Sequence, residues 1–223
     1  MSLFDTLLEA EVRDAASRHI FGVAVGIVTN NKDPEGLGRV KIRFPWLSDA
    51  DESDWARVAT PMAGNDRGVY LLPEIDDEVL VAFEHGDARS PYVLGGLWNG
   101  KDTPPAKNDD GKNNIRLIKS RSGHTIKLND EEGKETIEIT DKSTKNSIVI
   151  DTSKNSITIT SDKDITLAAA NGTIKLDAHE IQLRSSSDTK IEAGSNVSVK
   201  ASGKIEAKAS STMTIKGATV NIN

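Results

Sequence analysis

The chain has 223 residues, a formal net charge of −6 and no cysteine. The absence of cysteine excludes disulfides and thiolate chemistry, and the acidic balance argues against a nucleic-acid-binding protein. The longest apolar runs are too short to span a bilayer. Composition thus argues against disulfide-bonded, nucleic-acid-binding and membrane-spanning proteins. The function has to be inferred from sequence patterns.

Two regions of the chain differ sharply in composition. All nine aromatic residues lie between Phe4 and Trp98, and all seven prolines lie between Pro34 and Pro105. Residues 1–105 carry 10 basic and 18 acidic side chains, whereas residues 106–223 carry 18 basic and 16 acidic ones. We therefore expect two domains built on different principles, joined by a polar linker at 101–114 that contains proline and glycine.

The first 19 residues form a separate segment. Leu3, Leu7 and Leu8 are followed by Val12 and Ala15 at roughly helical spacing, with charged residues between them. This pattern predicts a short amphipathic helix that packs on a partner or on a neighbouring subunit. A frayed terminus is the alternative that the sequence leaves open.

Residues 20–100 contain short β-rich runs separated by turn residues. In the run from Arg39 to Phe44, strict alternation places Val40, Ile42 and Phe44 on one face. Five or six strands in about 80 residues, with no strong helix between them, predict a small closed barrel of the OB type. The expected strands are Phe21–Thr29, Arg39–Phe44, Trp55–Thr60, Val69–Leu72, Val79–Phe83 and Tyr92–Leu97.

Within the region 115–223, the chain is repetitive from Ile126 onward. Apolar residues come in pairs two positions apart, from Ile126/Leu128 to Val220/Ile222, at intervals of about eight residues. Each pair predicts one strand with two inward side chains, and each polar segment between pairs predicts a corner. The residues expected to form the core are Ile137, Ile139, Ile148, Ile150, Ile157, Ile159, Ile165, Leu167, Ile174, Leu176, Ile181, Leu183, Val197, Val199, Met213 and Ile215.

Such a chain must coil around something to bury its inward face. A single-chain β-solenoid and a triple-stranded β-helix both meet this need. The aliphatic core positions, the short repeat and the fully polar outer positions favour the trimer. The predicted fold is therefore all-β: a short N-terminal helix, an OB-fold barrel at 20–100, and an intertwined triple-stranded β-helix, or β-prism, at 115–223.

Three short patterns invite a chemical interpretation. Gly95–Asp102 nearly matches a phosphate-binding loop, but Asp102 replaces the required Ser or Thr. Glu84–Asp87 and the acidic cluster at 74–78 contain metal-ligand residue types without a ligand spacing that fits. We interpret all three as turns, and we expect no catalytic site, no cofactor and no metal.

The stretch Leu72–Gly100, LPEIDDEVLVAFEHGDARSPYVLGGLWNG, resembles the OB-domain signature of the central spike of contractile injection systems. Gly38–Trp46, Trp55–Val58 and Arg67-Gly68 support this resemblance. The family includes baseplate assembly protein V of contractile phages and the VgrG proteins of type VI secretion. The repeat is similar to the C-terminal β-prism of these spikes.

The resemblance implies a homotrimeric, non-enzymatic needle at the centre of a baseplate, driven through a target-cell envelope when a sheath contracts. It implies assembly in the bacterial cytoplasm, within a phage virion, a tail-like particle or an injection-system baseplate. A separate hub protein is expected at the N-terminal end, docked through Leu3, Leu7 and Leu8. A PAAR-like tip protein is expected at the other end, bound by Val220, Asn221, Ile222 and Asn223.

Two other functions are compatible with an all-β chain of this kind. A β-helical tail fibre, or a tail protein that binds or degrades polysaccharide, is the main alternative. No aromatic residue follows Trp98 to line a sugar-binding cleft, which disfavours it. An OB fold that binds single-stranded nucleic acid is disfavoured because residues 1–105 carry a net charge of −8.

Overall fold

The computed structural model describes residues 19–48 and 51–222. The predicted N-terminal helix at 3–18 therefore lies outside the described residues. The described residues contain twelve strands, all before residue 161, and one short 3₁₀ turn at Glu84–Gly86. The chain divides into two compact units, with the boundary between Asp164 and Ile165.

The first sheet of the first unit belongs to the predicted barrel. It has five strands in the order β2-β1-β6-β7-β3, in which β3 runs parallel to β7 and the other neighbours are antiparallel. A separate hairpin joins β4 to β5. The bounds are β1 Val23–Asn30, β2 Lys41–Arg43, β3 Arg57–Val58, β4 Ala63–Gly64, β5 Arg67–Gly68, β6 Glu78–Phe83 and β7 Pro91–Gly96.

This sheet curls around an apolar core. Val40 and Ala56 exchange two backbone hydrogen bonds, of 3.0 and 2.8 Å, which bring the start of β2 beside the start of β3. At Gly26 a Cβ atom would lie 2.3 Å from the Ile42 side chain, so glycine permits β1 and β2 to approach closely. The curled sheet is consistent with the predicted OB fold. Its core consists of Val28, Val40, Ile42, Phe44, Ala56, Val79, Val81, Phe83 and Val93.

The predicted strands of the barrel are confirmed at β1, β2, β6 and β7. The run from Trp55 to Thr60 contributes only the two residues of β3. The predicted strand at Val69–Leu72 is wrong, because the β4–β5 hairpin takes up the preceding residues. Val69 still donates its N–H to the carbonyl of Met62 at 3.0 Å, and the chain then leaves the ribbon before Pro73.

The second sheet of the first unit contains the beginning of the repeat. It is a five-stranded antiparallel meander in the order β12-β11-β10-β9-β8. Each strand pairs with its sequence neighbour in the same chain, which differs from the pairing between chains that the intertwined prism predicts for these residues. The bounds are β8 Ile115–Lys119, β9 Thr125–Asn129, β10 Thr136–Thr140, β11 Ser147–Asp151 and β12 Ser156–Thr160.

The second unit contains the rest of the repeat. No helix or strand is assigned to its described residues, 165–222, and all of their side chains are exposed. The β-prism predicted for this part of the chain stays a prediction.

Candidate functional site

One face of the β8–β12 sheet is covered with aliphatic side chains. The antiparallel register places Ile139 opposite both Ile126 and Ile148, and it places Ile137 opposite both Leu128 and Ile150. The same register adds one residue from β8 and two from β12. The resulting aliphatic face consists of two rows: Ile118, Ile126, Ile139, Ile148 and Ile159 in one, and Leu128, Ile137, Ile150 and Ile157 in the other.

This aliphatic face is open to water in the single chain. Its side chains are between 37% (Ile150) and 69% (Ile157) exposed. Proteins rarely leave so large a contiguous apolar surface uncovered unless it binds another surface. The face is therefore a candidate site of assembly.

The opposite face of the same sheet is mostly polar. Its central row consists of Leu117, Lys127, Glu138, Val149 and Thr158, one from each strand. Lys127 and Glu138 form an ion pair at 3.3 Å. A sheet with one apolar and one polar face is typical of an element that covers a core on one side and meets solvent on the other.

The turns of the meander are held by aspartates. Asp141 accepts hydrogen bonds from the Ser143 hydroxyl at 2.8 Å and the Asn146 side-chain amide at 2.9 Å. Asp151 accepts hydrogen bonds from Lys154 Nζ at 2.7 Å and Ser153 Oγ at 2.6 Å. These hydrogen bonds, chiefly that from Lys154, lower the pKa of Asp151 to about 2. These aspartates lie at the turns, whereas Arg116, opposite Leu128 in the register, places a charge at the edge of the aliphatic face.

The structure places the predicted core residues in two groups. Ile137, Ile139, Ile148, Ile150, Ile157 and Ile159 meet on the aliphatic face. The others lie in the second unit, where each is exposed: Ile165, Leu167, Ile174, Leu176, Ile181, Leu183, Val197, Val199, Met213 and Ile215. Among the predicted end-binding residues, Val220, Asn221 and Ile222 are exposed, whereas Asn223, Leu3, Leu7 and Leu8 lie outside the described residues.

Strand β8 was missed by the sequence analysis. It brings Ile118 into the first row of the aliphatic face, opposite Ile126. Residues 115–118 read Ile-Arg-Leu-Ile, and the pair two apart, Ile115/Leu117, lies on the face opposite to Ile118. The signal was the dense apolar content directly after the polar linker.

The patterns that invited a chemical interpretation lie in turns. At the β6–β7 connection, Asp87 pairs with Arg89 at 2.8 Å, which lowers the pKa of Asp87 to about 2. After β7, the Asn99 carboxamide oxygen accepts the backbone N–H groups of Lys101 and Asp102 at 2.8 and 2.6 Å. Within residues 19–48 and 51–222, no cluster of three His, Cys, Asp or Glu side chains is arranged to hold a metal ion.

The described residues contain no helix whose length and apolar character would allow it to cross a membrane.

Comparisons with known proteins identify the barrel region. Residues 24–98 match the family model of the type VI secretion system/phage-baseplate injector OB domain. This range contains β1 to β7 except for the first residue of β1, Val23. The match therefore covers the curled sheet and its core.

Similar curated proteins point to the same family. The type VI secretion system spike protein VgrG3 of Vibrio cholerae is 32% identical over 108 residues, which are 45% of this chain and 11% of that protein. The spike protein VgrG1a of Pseudomonas aeruginosa is 38% identical over 72 residues, 30% of this chain and 11% of that protein. The actin cross-linking toxin VgrG1 of Vibrio cholerae is 42% identical over 72 residues, 30% of this chain and 7% of that protein.

The chain thus spans about a tenth of the length of these relatives. The actin cross-linking in the toxin's name belongs to a much longer protein, of which the matched residues are only 7%. What the chain shares with each of these relatives is a segment of 72 or 108 residues. Residues 24–98 thus match the injector OB domain of the type VI secretion and phage-baseplate family, and over part of its length the chain is similar to VgrG spike proteins.

Proposed function

We propose that the chain is a structural subunit of a homotrimeric, membrane-piercing spike at the centre of a contractile tail or injection-system baseplate. The observation that carries this proposal is the aliphatic face of β8–β12. Nine aliphatic side chains lie in two rows on one face of a sheet, next in sequence to an injector OB domain. The proposed role is mechanical, and it requires no enzymatic activity of this chain.

The aliphatic face supports assembly because burying it removes apolar surface from water. Fully burying an isoleucine or leucine side chain contributes about 1.5–3 kcal/mol, and roughly half of each side chain is still exposed here. Each of the nine side chains then contributes about 1 kcal/mol to association. Summed over several copies, this gain exceeds the cost of bringing the chains together.

Three copies suit this face better than two. Three such sheets, each turning its aliphatic face inward and its polar face outward, form a closed triangular prism. The aliphatic pairs continue through residues 165–222 at somewhat shorter intervals. Their side chains are also exposed in the single chain, so the same packing between copies would bury them. We propose that the intertwined β-helix is built from this second unit.

The prism gives the spike its mechanical property. Strands that pair and pack between chains cannot be pulled apart one chain at a time, so the rod resists bending and unfolding. A separate hub protein would hold the base, and a PAAR-like tip protein would cover Val220, Asn221, Ile222 and Asn223. When the sheath contracts, the rod would transmit the force to the target-cell envelope.

The mass of the full chain in solution tests this proposal first. Light scattering coupled to size exclusion is expected to give three times the 24.0 kDa of one chain, in an early-eluting peak typical of a rod. Negative-stain electron microscopy of the same peak is expected to show a bulky end and a thin shaft. A monodisperse monomer or dimer would overturn the trimeric spike, because the aliphatic face would then lack its proposed cover.

A further inference from the structure

Two asparagines of the chain, Asn99 and Asn171, are followed directly by glycine. Glycine has no side chain to shield its backbone nitrogen, so that nitrogen can reach the carboxamide carbon, Cγ, of the asparagine before it. Every other asparagine inside the chain is followed by a residue that carries a side chain. The two Asn-Gly sites are therefore the positions where attack by the backbone on a carboxamide is least hindered.

The Asn99 carboxamide is held by hydrogen bonds at both its oxygen and its nitrogen. The oxygen accepts the backbone N–H groups of Lys101 and Asp102 at 2.8 and 2.6 Å. The nitrogen donates to Glu78 Oε2 at 3.2 Å and to Asp102 Oδ2 at 3.4 Å. The backbone N–H of Asn99 also donates to the carbonyl of Asp102 at 2.9 Å and closes the loop. Turning the carboxamide toward Gly100 would break several of these hydrogen bonds at once.

The charges around Asn99 oppose the same reaction. The backbone nitrogen of Gly100 must lose its proton before it attacks, so the reacting group becomes negative. The carboxylates of Glu78 and Asp102 lie beside the Asn99 carboxamide nitrogen and repel that negative charge. Hydrogen bonding and charge thus both protect Asn99.

Asn171 lacks this protection. Its side chain is exposed, and it has no hydrogen-bond partner within the part of the chain that the structure describes. Residues 165–174 carry no charged side chain. The backbone N–H of Gly172 donates to the carbonyl of Ala169 at 3.3 Å, a long hydrogen bond that restrains the nitrogen only weakly. A Cβ atom added at Gly172 would meet only the Ala169 side chain, at 3.8 Å, so the space around the glycine is open.

We propose that Asn171 is a site of spontaneous deamidation and that the fold protects Asn99 from the same reaction. The Gly172 nitrogen gives its proton to hydroxide and bonds to Asn171 Cγ, and the carboxamide nitrogen takes a proton from water and leaves as ammonia. Water then opens the resulting succinimide ring at one of its two carbonyls and leaves aspartate or isoaspartate. Either product adds a negative charge to the turn at 169–172, and isoaspartate also lengthens its backbone by one carbon. The inference stands whether or not the chain forms a trimeric spike.

Peptide mass spectrometry of the purified full chain tests the proposal. During incubation in mildly alkaline buffer, Asn171 is expected to convert at least tenfold faster than Asn99. The matched control is the same chain in concentrated guanidinium chloride, where the hydrogen bonds of Asn99 are lost and the two sites should convert at similar rates. An intact Asn171 in the folded chain would overturn the proposal. A tenfold difference that persists in denaturant would overturn it as well, because the fold would then not be its cause.

A substitution at the attacking residue supplies a second readout. Gly172→Ala keeps Asn171 and hinders the backbone nitrogen with a methyl group, for which the open space leaves room. Conversion at position 171 should therefore fall at least tenfold, whereas Thr173→Ala, one residue further on, should leave it unchanged. An unchanged rate in Gly172→Ala would mean that water removes the amide directly, and the proposal would fail.

Discussion

The two sheets of the first unit have the same number of strands and bury their apolar residues in opposite ways. The barrel sheet curls until nine apolar side chains, all of them in or next to its strands, are buried within one chain. The β8–β12 sheet also presents nine aliphatic side chains on one face, but each of them is at least 37% exposed. A single chain therefore buries the first set of side chains and leaves the second set open to water.

The difference follows from how the strands are connected. In the barrel, β1 pairs with β6 and β3 pairs with β7, so distant parts of the sequence are drawn around one centre. Phe44 and Phe83, with ring centroids 5.5 Å apart, help to fill that centre. In the meander each strand pairs only with its neighbours in sequence, and residues 115–160 contain no aromatic residue. A meander of this kind has nothing of its own to place over its apolar face.

The largest effect is expected from a charge on the aliphatic face. Ile148→Lys would place one ammonium group per copy in the proposed trimer interface, between Ile139 and Ile159. Burying an unpaired charge costs several kcal/mol for each copy, so the trimer should dissociate completely. Light scattering on the purified variant would report the mass of one chain.

The control for this variant lies one residue further along the same strand. Val149 belongs to the polar face, opposite Glu138 and Thr158. Val149→Lys adds the same charge to the same strand and should leave the trimer intact. Loss of the trimer in both variants would mean that strand β11 tolerates no lysine, and the assignment of an inner and an outer face would fail.

The next effect separates the two cores by their dependence on concentration. Ile42→Ala removes a fully buried side chain of the barrel and should cost about 2–5 kcal/mol at any chain concentration. Ile150→Ala on the aliphatic face should lower stability by an amount that grows as the chain concentration rises, from a small loss where the chains are monomeric to its full value where they associate, because association stabilises the folded state by mass action. Denaturant unfolding at two concentrations, a hundredfold apart, measures both. An identical response in the two variants would remove the distinction between the cores.

Much of the barrel could be predicted from the sequence because alternation reports burial directly. Val40, Ile42 and Phe44 alternate in the sequence, and all three are buried in the core. The run Val69–Leu72 looked equally β-rich, yet it lies outside the strands because the β4–β5 hairpin precedes it. Pairing with a partner strand decides whether such a run becomes a strand, and a local pattern does not contain that information.

Eight of the nine residues of the aliphatic face, all but Ile118, belong to apolar pairs that the sequence marks, but the pairing of the strands was not predicted. The aliphatic pairs marked β9 to β12 correctly, because period two is the signature of a strand. The connections between these strands are six, six and four residues long, which suits hairpins within one chain. The mean interval between pairs, about eight residues, hides the longer intervals between the pairs at 126–157.

A smaller effect is expected from Asp33, which organises the β1–β2 connection of the barrel. Its carboxylate accepts hydrogen bonds from Arg39 Nε at 2.9 Å and Nη2 at 2.8 Å, and also from three backbone N–H groups. The Arg39 guanidinium holds the pKa of Asp33 well below its usual range. Asp33→Asn should therefore lower the melting temperature at neutral pH, by less than Ile42→Ala does.

The sign of the pH dependence sharpens this test. Because the pKa of Asp33 is depressed in the folded state, its stabilisation is present above the unfolded pKa of about 3.9 and is lost as the pH falls through the lower folded value. The melting temperature of the natural chain should fall between pH 5 and the acid limit more steeply than that of Asp33→Asn. Asp109→Asn, at an exposed position of the linker, should leave the slope unchanged. Parallel slopes for Asp33→Asn and the natural chain would contradict the role given to Asp33.

The smallest effect is expected where the barrel region contacts the meander. Arg121 Nη1, in the β8–β9 turn, lies 2.7 Å from Glu74 Oε2, in the loop before β6, and the two side chains are 81% and 49% exposed. An exposed ion pair is screened by salt and contributes at most about 1 kcal/mol, so Arg121→Ala should change the free energy of unfolding by less than about 0.5 kcal/mol. Thermal unfolding at low and high salt measures this change, with Arg121→Lys as the variant that keeps the charge. A large, salt-sensitive loss in Arg121→Ala alone would mean that the barrel stabilises the meander within one chain. The folded meander would then need less stabilisation from other copies than the exposure of its aliphatic face suggests.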